Sequence, residues 1–349
     1  MSTNKMIKKA LIGDGVQGGI SRRTALKGVG ALATAAAFGL PSIYARKSAA
    51  ATLVPVRLGY QFHLWGAPAV VGIELGTFKK QGLTIEGKKF SSGKDTRDAI
   101  VAGSVDIGTV GITPFIVGAS RGSMAAIAVV CYAGKTGLVM AKANAGIKTV
   151  ADLKGKRIAS QVGSTLDSVF KTSIAPKAGL KKGDYEILNA RFADHVQALA
   201  SGSVDAFLGL EPFCSISEAQ GIATPLTDYY KYDLIPNMLT VDQKFLDNHP
   251  ETCEAFLRGW LQAAKVFQDD PKAAADIMLA VYSGRNYGID EKIIRNALSR
   301  LIVNPKFIPE LPEYIVKQAK ALVKAGRLDT VPDPSKILRQ DLLKKVMGG

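Results

Sequence analysis

The stretch AIVAGSVD at residues 99–106 returns almost unchanged as ALASGSVD at residues 198–205. In each copy a helical pattern ends at a glycine, Gly103 or Gly202, and an apolar run typical of a strand follows. Glycine is favoured just past a helix C-terminus because it adopts the left-handed conformation without a Cβ clash. Two such units predict two α/β lobes of similar design, with a cleft between them.

Length and composition fit a two-domain globular protein. A chain of 349 residues can form two domains that each bury a core, and 47% hydrophobic with 21% charged residues is not a disordered composition. The net charge is +15, but residues 1–50 alone contain eight Lys or Arg against one Asp. The other basic residues are spread out without interleaved aromatics, so no nucleic-acid partner is expected.

The N-terminus carries an export pattern. The sequence SRRTALK at 21–27 resembles the twin-arginine motif, with Ala25 where Phe is usual. The uncharged run 28–40 is shorter than the ~20 residues that span a bilayer, and residues 48–50 are small enough for a signal peptidase. We expect residues 1–50 to be a signal peptide and the rest to be a soluble periplasmic protein without a lipid anchor. The alternative is an amphipathic N-terminal helix of a cytoplasmic protein.

The three cysteines, Cys131, Cys214 and Cys253, show no paired spacing. In an oxidising compartment they allow at most one disulfide and leave one thiol over. The spacing therefore predicts that they are small buried apolar residues.

Strand and helix patterns alternate as βαβαβ over residues 54–130 and restart at Val150, and the chain is helical from Pro250. This alternation predicts two mostly parallel sheets flanked by helices. No low-complexity linker separates them, so we expect strands to cross between the lobes. The predicted bounds are 51–138 with 240–349 for lobe I, and 139–239 for lobe II.

Two motifs resemble catalytic signatures in the wrong context. GDGVQG at 13–18 matches a dinucleotide-binding pattern but lies in the signal's polar head, with almost no strand before it. GASRG at 118–122 matches a nucleophile elbow but lies between a helix and a strand, the reverse of the required order. His63, His195 and His249 lack metal-ligand spacing. We therefore expect neither a catalytic site nor a metal.

Ligands of doubly wound sheets bind outside the carboxyl ends of the strands, where loops lead into helices. Loops with small residues, hydroxyls and free N–H groups at a helix start suit an anion. The candidate ligand-binding residues are His63, Trp65, Gly66, Ser91, Ser92, Gly111, Thr113, Gly163, Ser164, Thr165 and Glu211.

Several of these candidates have an alternative, purely structural interpretation. Ser164 and Asp167 also match a capping box that satisfies the first helical turn. Trp65 could only staple the helix beneath it. His63 could be a polar rim residue or a charge sensor near pH 6.5. Glu211 could face the cleft or merely end a strand.

An ordered set of segments over residues 55–280 resembles the periplasmic substrate-binding proteins of ABC importers, in the nitrate/sulfonate/taurine group. The segments are LGYQ at 58–61, AGSVDIG at 102–108, VADLKG at 150–155, GS at 163–164, GSVDA at 202–206, EP at 211–212 and HPE at 249–251. The resemblance implies a type II binding-protein fold whose lobes close on a ligand. It also implies a monomer without enzymatic activity or cofactor, which delivers the ligand to a membrane permease and its ATPase.

The family often has Trp before the acidic-Pro pair, where this chain has Leu210. Specificity for sulfonate or taurine therefore does not follow from the resemblance. We expect a small anionic solute of the sulfonate, nitrate, taurine or carboxylate type, which the positive charge of the mature chain would steer inward. The alternatives are a pyrimidine-precursor (thiamine) binding protein, a synthase-like enzyme of the same fold, and a receptor that serves a sensor kinase. The synthase uses a cysteine-rich motif that this chain lacks.

Overall fold

The computed structural model describes residues 53–284 and 289–348. The expected signal peptide, its cleavage site and the GDGVQG motif lie outside the described residues. Within the described ranges, no helix is both long enough and apolar enough to cross a membrane.

The described residues form two five-stranded sheets. In chain order the strands are β1 Val56–Gln61, β2 Ile85–Phe90, β3 Ile107–Gly111, β4 Met124–Tyr132, β5 Gly137–Lys142, β6 Arg157–Ser160, β7 Glu186–Asn189, β8 Ala206–Leu210, β9 Ala223–Asp228 and β10 Pro236–Asp242. The first sheet has the order β2-β1-β3-β10-β4, and the second has the order β7-β6-β8-β5-β9.

In each sheet four strands run in one direction and one opposes them. In the first sheet β1 is parallel to β2 and β3, whereas β10 is antiparallel to β3 and β4. In the second sheet β6 is parallel to β7 and β8, whereas β5 is antiparallel to β8 and β9. The expected mostly parallel sheets are therefore confirmed. The opposed strands, β5 and β10, are those that the chain enters after each crossing between the sheets.

Helices cover both sheets. Their bounds are α1 Ala67–Glu74, α2 Gly93–Val101, α3 Ile112–Ala119, α4 Thr165–Val169, α5 Ala175–Lys177, α6 His195–Ala200, α7 Phe213–Ala219, α8 Gln243–Asn248, α9 Pro250–Asp269, α10 Pro271–Ser283, α11 Glu291–Ser299, α12 Leu311–Lys324, α13 Pro334–Ile337 and α14 Gln340–Met347. A π-helical segment, Phe170–Ile174, joins α4 to α5. Helix α3 begins at Ile112, directly after Gly111, which is its extended N-cap.

The first copy of the repeated stretch fixes a helix end to the first strand. Gly103 follows α2 with a φ of +70°, the left-handed conformation expected there. The Asp106 carboxylate accepts a 2.8 Å hydrogen bond from the backbone N–H of Arg57 and pairs with the Arg57 guanidinium. Arg57 Nη1 also donates to the carbonyl of Gly103 at 2.7 Å. We call this arrangement the Arg–Asp clasp.

The second copy repeats the clasp in the second sheet. Gly202 has a φ of +75°. The Asp205 carboxylate accepts from the backbone N–H of Arg157 at 2.9 Å and from Arg157 Nη2 at 3.0 Å. Arg157 Nη2 also donates to the Gly202 carbonyl at 2.8 Å. The sequence repeat therefore corresponds to a structural repeat, one in each lobe.

The cores lie between each sheet and its helices, and β4 is buried along its whole length. Cys131, Cys214 and Cys253 are buried and unpaired, as predicted.

Candidate ligand cavity between the two sheets

A cavity of about 210 Å³ lies between the two sheets. Both sheets contribute residues to its lining. The first sheet's side contributes Phe62, His63 and Ser91, and the second sheet's side contributes Arg191, Phe192, Ala193, Asp194 and Phe213. They follow the carboxyl ends of β1, β2, β7 and β8, where ligands of such sheets bind. A second cavity of about 480 Å³ adjoins it and shares Ser91, Arg191 and Asp194.

The walls of the cavity are largely aromatic. Phe62, Phe192 and Phe213 line it, and the His63 ring packs edge-on against Phe192 at 5.9 Å between centroids. On its other side His63 packs edge-on against Trp65 at 5.7 Å. Such walls suit the apolar part of an organic ligand.

The His63 imidazole is neutral. Its Nδ1 accepts a 3.3 Å hydrogen bond from the backbone N–H of Trp65, which assigns the ring proton to Nε2. Burial lowers the pKa of His63 to about 3, because no charged group among the described residues offsets the desolvation of the ring. The ring therefore does not titrate near pH 6.5, and the charge-sensor interpretation of His63 is wrong. Nε2 is buried and has no hydrogen-bond partner among the described residues.

Arg191 and Asp194 supply the charges of the cavity wall. Within the described part of the chain, neither side chain forms an ion pair or a side-chain hydrogen bond. Asp194 occupies the N-cap position of α6 without capping it. Both groups are therefore available to a ligand.

Direct contacts join the two lobes around the cavity. Gln161 Nε2 donates to Ser91 Oγ at 3.1 Å. The backbone N–H of Thr113 donates to Thr165 Oγ1 at 3.3 Å. These two hydrogen bonds span the cleft from one lobe to the other.

Of the candidates from the sequence, the structure places His63 and Ser91 on the cavity wall. Trp65 lies behind His63, and its Nε1 donates to Thr136 Oγ1 at 2.7 Å. Gly66 is required by packing, because a Cβ there would lie 1.8 Å from the carbonyl oxygen of Gln61.

The remaining hydroxyl candidates are engaged locally or between lobes. Ser92 Oγ accepts from the backbone N–H of Asp95, and Ser164 Oγ accepts from that of Asp167, so both residues cap helices. Gly111, Thr113 and Thr165 meet at the interlobe contact, and Gly163 precedes α4 with a φ of +87°. Ligand contact by these residues stays a prediction.

Glu211 does not belong to the cavity lining. Its carboxylate is fully buried, accepts from the backbone N–H of Ser215 at 3.1 Å and from Ser215 Oγ at 2.9 Å, and pairs with Arg300. Burial raises the pKa of Glu211, and these partners oppose the rise.

Sequence reasoning missed the turn at Arg191–Asp194, which carries both charges of the cavity. The signal was present in the sequence, because a strand pattern ends at Leu188 and a helix pattern begins at Ala193. The rule that selected the other loops applies equally to the loop between them.

Among the described residues, no group of three or more His, Cys, Asp or Glu side chains could hold a metal ion.

Comparison with known proteins places this geometry in a family. The profile of the NMT1-like family matches residues 49–281. The "Putative aliphatic sulfonates-binding protein" of Bacillus subtilis (strain 168) is 28% identical over 252 residues, covering 70% of this chain and 74% of the relative. The taurine-binding periplasmic protein of Escherichia coli (strain K12) is 29% identical over 228 residues, covering 63% and 69%.

A solved structure shares the fold. The alkanesulfonate-binding protein SsuA from Xanthomonas axonopodis pv. citri, bound to MOPS, matches with a TM-score of 0.73 and 21% identity. The match covers 83% of this chain and 99% of SsuA. These relatives are named as binding proteins rather than enzymes, and the likeness to SsuA confirms the two-lobed α/β fold.

Proposed function

Because the chain belongs to the NMT1-like family, we propose that it is the solute receptor of an ABC importer. It captures a small anionic solute in the cavity between the lobes and delivers it to a membrane permease and its ATPase. The observation that carries this proposal is the lining of one cavity from both sheets, at the carboxyl ends of their strands.

The chemistry of the wall supports an organic anion. Arg191 offers a guanidinium suited to sulfonate, carboxylate or nitrate oxygens, and the aromatic walls accept an apolar body. Asp194 at the other end of the same turn would accept from a hydrogen-bond donor of the solute. A solute with an anionic head and a donor group satisfies both side chains.

Capture proceeds by closure of lobe II on lobe I. The expected bounds, 51–138 with 240–349 and 139–239, shift by a few residues, because β5 begins at Gly137 in the second sheet and β10 begins at Pro236 in the first. The two crossing segments lie side by side, because the N–H groups of Ala133 and Gly134 donate to the carbonyls of Ile235 and Leu234 at 2.9 and 3.0 Å. A pair of adjacent crossings supports a hinge, about which the lobes rotate.

The receptor works in the periplasm as a soluble monomer. Residues 1–50 direct twin-arginine export and are removed near Ala50. The E. coli relative is named as a periplasmic protein, which supports this location.

A thermal-shift screen of the purified protein tests the proposed solute class. The panel contains nitrate, bicarbonate, taurine, alkyl and aryl sulfonates, carboxylates and a pyrimidine precursor of thiamine. A solute at 100 times its Kd adds about 2.7 kcal/mol to the free energy of unfolding, which gives an easily measured rise in Tm. We expect an anion to raise Tm; a rise with only neutral or cationic compounds would contradict the proposal.

A further inference from the structure

The segment beyond the family match packs against the first lobe. Helix α11 contacts α10, and the chain then runs along the edge of the first sheet. There the N–H of Tyr132 donates to the carbonyl of Ile302 at 2.9 Å, and Gln268 Nε2 donates to the carbonyl of Val303 at 3.1 Å. We call residues 291–300 the arm.

The C-terminal end of the arm contacts the second lobe. Arg300 Nη1 pairs with Glu211 Oε1, at the end of β8, and lies 3.4 Å from Glu218 Oε2 on α7. Asn296 Nδ2 donates to Ser215 Oγ, also on α7, at 3.1 Å. Three side chains of the second lobe are therefore held by two side chains of the arm.

The buried carboxylate of Glu211 needs an oppositely charged partner if the second lobe is to be stable. Glu211 is 0% exposed, and an ionised carboxylate in such a position is strongly destabilising without a partner. Arg300 supplies the opposite charge, and Ser215 supplies two hydrogen bonds. The second lobe therefore depends on a residue that the first lobe carries.

This contact leads directly to the wall of the cavity. Helix α7 begins at Phe213, which lines the cavity, and the same helix carries Ser215 and Glu218. Arg300 itself does not line the cavity. Its effect on the solute passes through the position of α7.

We propose that the arm is an interlobe latch in which Arg300 is a positioning residue: by holding Glu211 and α7 it favours the closed arrangement of the lobes and keeps Phe213 on the cavity wall. The inference rests on the proposed function, since closure is the step that captures the solute. It adds a determinant of closure that lies outside the cavity and outside the residues matched by the family profile.

Small-angle X-ray scattering of the protein without solute tests the latch. The variant Arg300→Gln removes the charge that holds Glu211. The matched control is Arg295→Gln on the same arm, whose guanidinium pairs with Glu291 and approaches Asp276, both on the first-lobe side. Loss of hydrogen bonds between charged groups should lower the closed-to-open ratio by about tenfold or more. We expect a larger radius of gyration for Arg300→Gln and a wild-type value for the control; a wild-type profile for Arg300→Gln overturns the proposal.

A second variant covers the case in which Arg300→Gln does not fold. Glu211→Gln combined with Arg300→Gln leaves no uncompensated charge in the core, and near-UV circular dichroism verifies its folding. We expect the same increase in radius of gyration, and a folded double variant with the wild-type profile overturns the latch. Because the experiment contains no solute, its outcome is independent of which solute class the protein binds.

Discussion

At the scale of single residues, burial decides the charge of two histidines. Burial lowers the pKa of His63 to about 3 and that of His195 to about 4, and for His195 a hydrogen bond to the carbonyl of Ala190 partly opposes the change. An unfolded histidine has a pKa near 6.5, so the unfolded chain binds these protons first as the pH falls. The native state keeps its full free energy of unfolding above pH 6.5, where both rings are neutral in either state. As the pH falls from 6.5 towards the folded-state pKa values, protonation of the unfolded chain lowers the free energy of unfolding.

The free energy of unfolding should therefore fall on acidification, by about 2 kcal/mol for each of the two histidines between pH 7 and pH 5. His195→Phe removes one of these contributions, at a position packed against Phe192 and Phe207. Urea unfolding at both pH values measures the effect. The free energy of unfolding should change less between pH 7 and pH 5 in His195→Phe than in wild type. An equal change in the two proteins would show that His195 does not titrate as described.

The Arg–Asp clasp predicts a matched pair of mutational effects. Asp106→Asn removes a nearly buried carboxylate and should lower the free energy of unfolding by about 1–2 kcal/mol, after allowance for the exposure of Arg57. Asp205→Asn should cost less, because Asp205 is more exposed. Denaturant unfolding measures both.

The control for this pair is Asp98→Asn. In the wild type the Asp98 carboxylate forms ion pairs on the surface with Lys94 and Arg97. Exposed pairs of this kind contribute little, so its stability should stay within about 0.5 kcal/mol of wild type. A loss at Asp106 no larger than at Asp98 would show that the clasp does not stabilise the lobe.

Local roles were readable from the sequence, whereas partners distant in the chain were not. The capping role of Ser164 depends on residues three positions apart, so a short motif reveals it. The pairing of Glu211 with Arg300 depends on the tertiary fold, and no spacing rule connects the two residues. The neutral state of His63 likewise follows from burial, which the sequence does not show.

At the scale of elements, the strands that alternate with helices were predicted, whereas β5, β9 and β10 were not. β9 contains Pro225 and β10 begins at Pro236, and proline lowers the strand signal. The structure tolerates Pro225 because β9 is an edge strand of the second sheet. β5 was missed because it follows β4 after only a short turn, Gly134–Thr136, without the helix that marks the other strands.

At Gly103, after the end of α2, a substitution should change stability through the backbone conformation alone, without new side-chain contacts. Among the described residues no atom lies within 4 Å of an added Cβ, and the φ is +70°, so Gly103→Ala introduces only left-handed strain. The expected loss in unfolding free energy is about 1 kcal/mol. Gly284→Ala is the control, because an added Cβ there also meets no described atom within 4 Å and its φ is −72°. Equal Tm values for the two variants would contradict a conformational requirement at Gly103.

At the scale of the whole molecule, the repeated stretch at 99–106 and 198–205 indicated two lobes. The strand directions of the two sheets explain where these lobes face each other. Each copy leads into a strand, β3 or β8, and the residues that follow β8 include a wall of the cavity. The sequence therefore located the cleft, but it gave neither its aromatic lining nor the charges at Arg191–Asp194. Nor did it show that the arm from the first lobe holds the second lobe at Glu211. Both depend on the tertiary contacts between the two lobes.

The central claim is that the solute binds between the lobes at Arg191. Isothermal titration of the strongest anion from the screen into wild type, Arg191→Gln and the surface control Arg295→Gln tests it most directly. Loss of a charge-assisted hydrogen bond should raise the Kd of Arg191→Gln by about tenfold or more, with little change in the control. An unchanged Kd for Arg191→Gln would contradict the account, because the anion would then bind elsewhere.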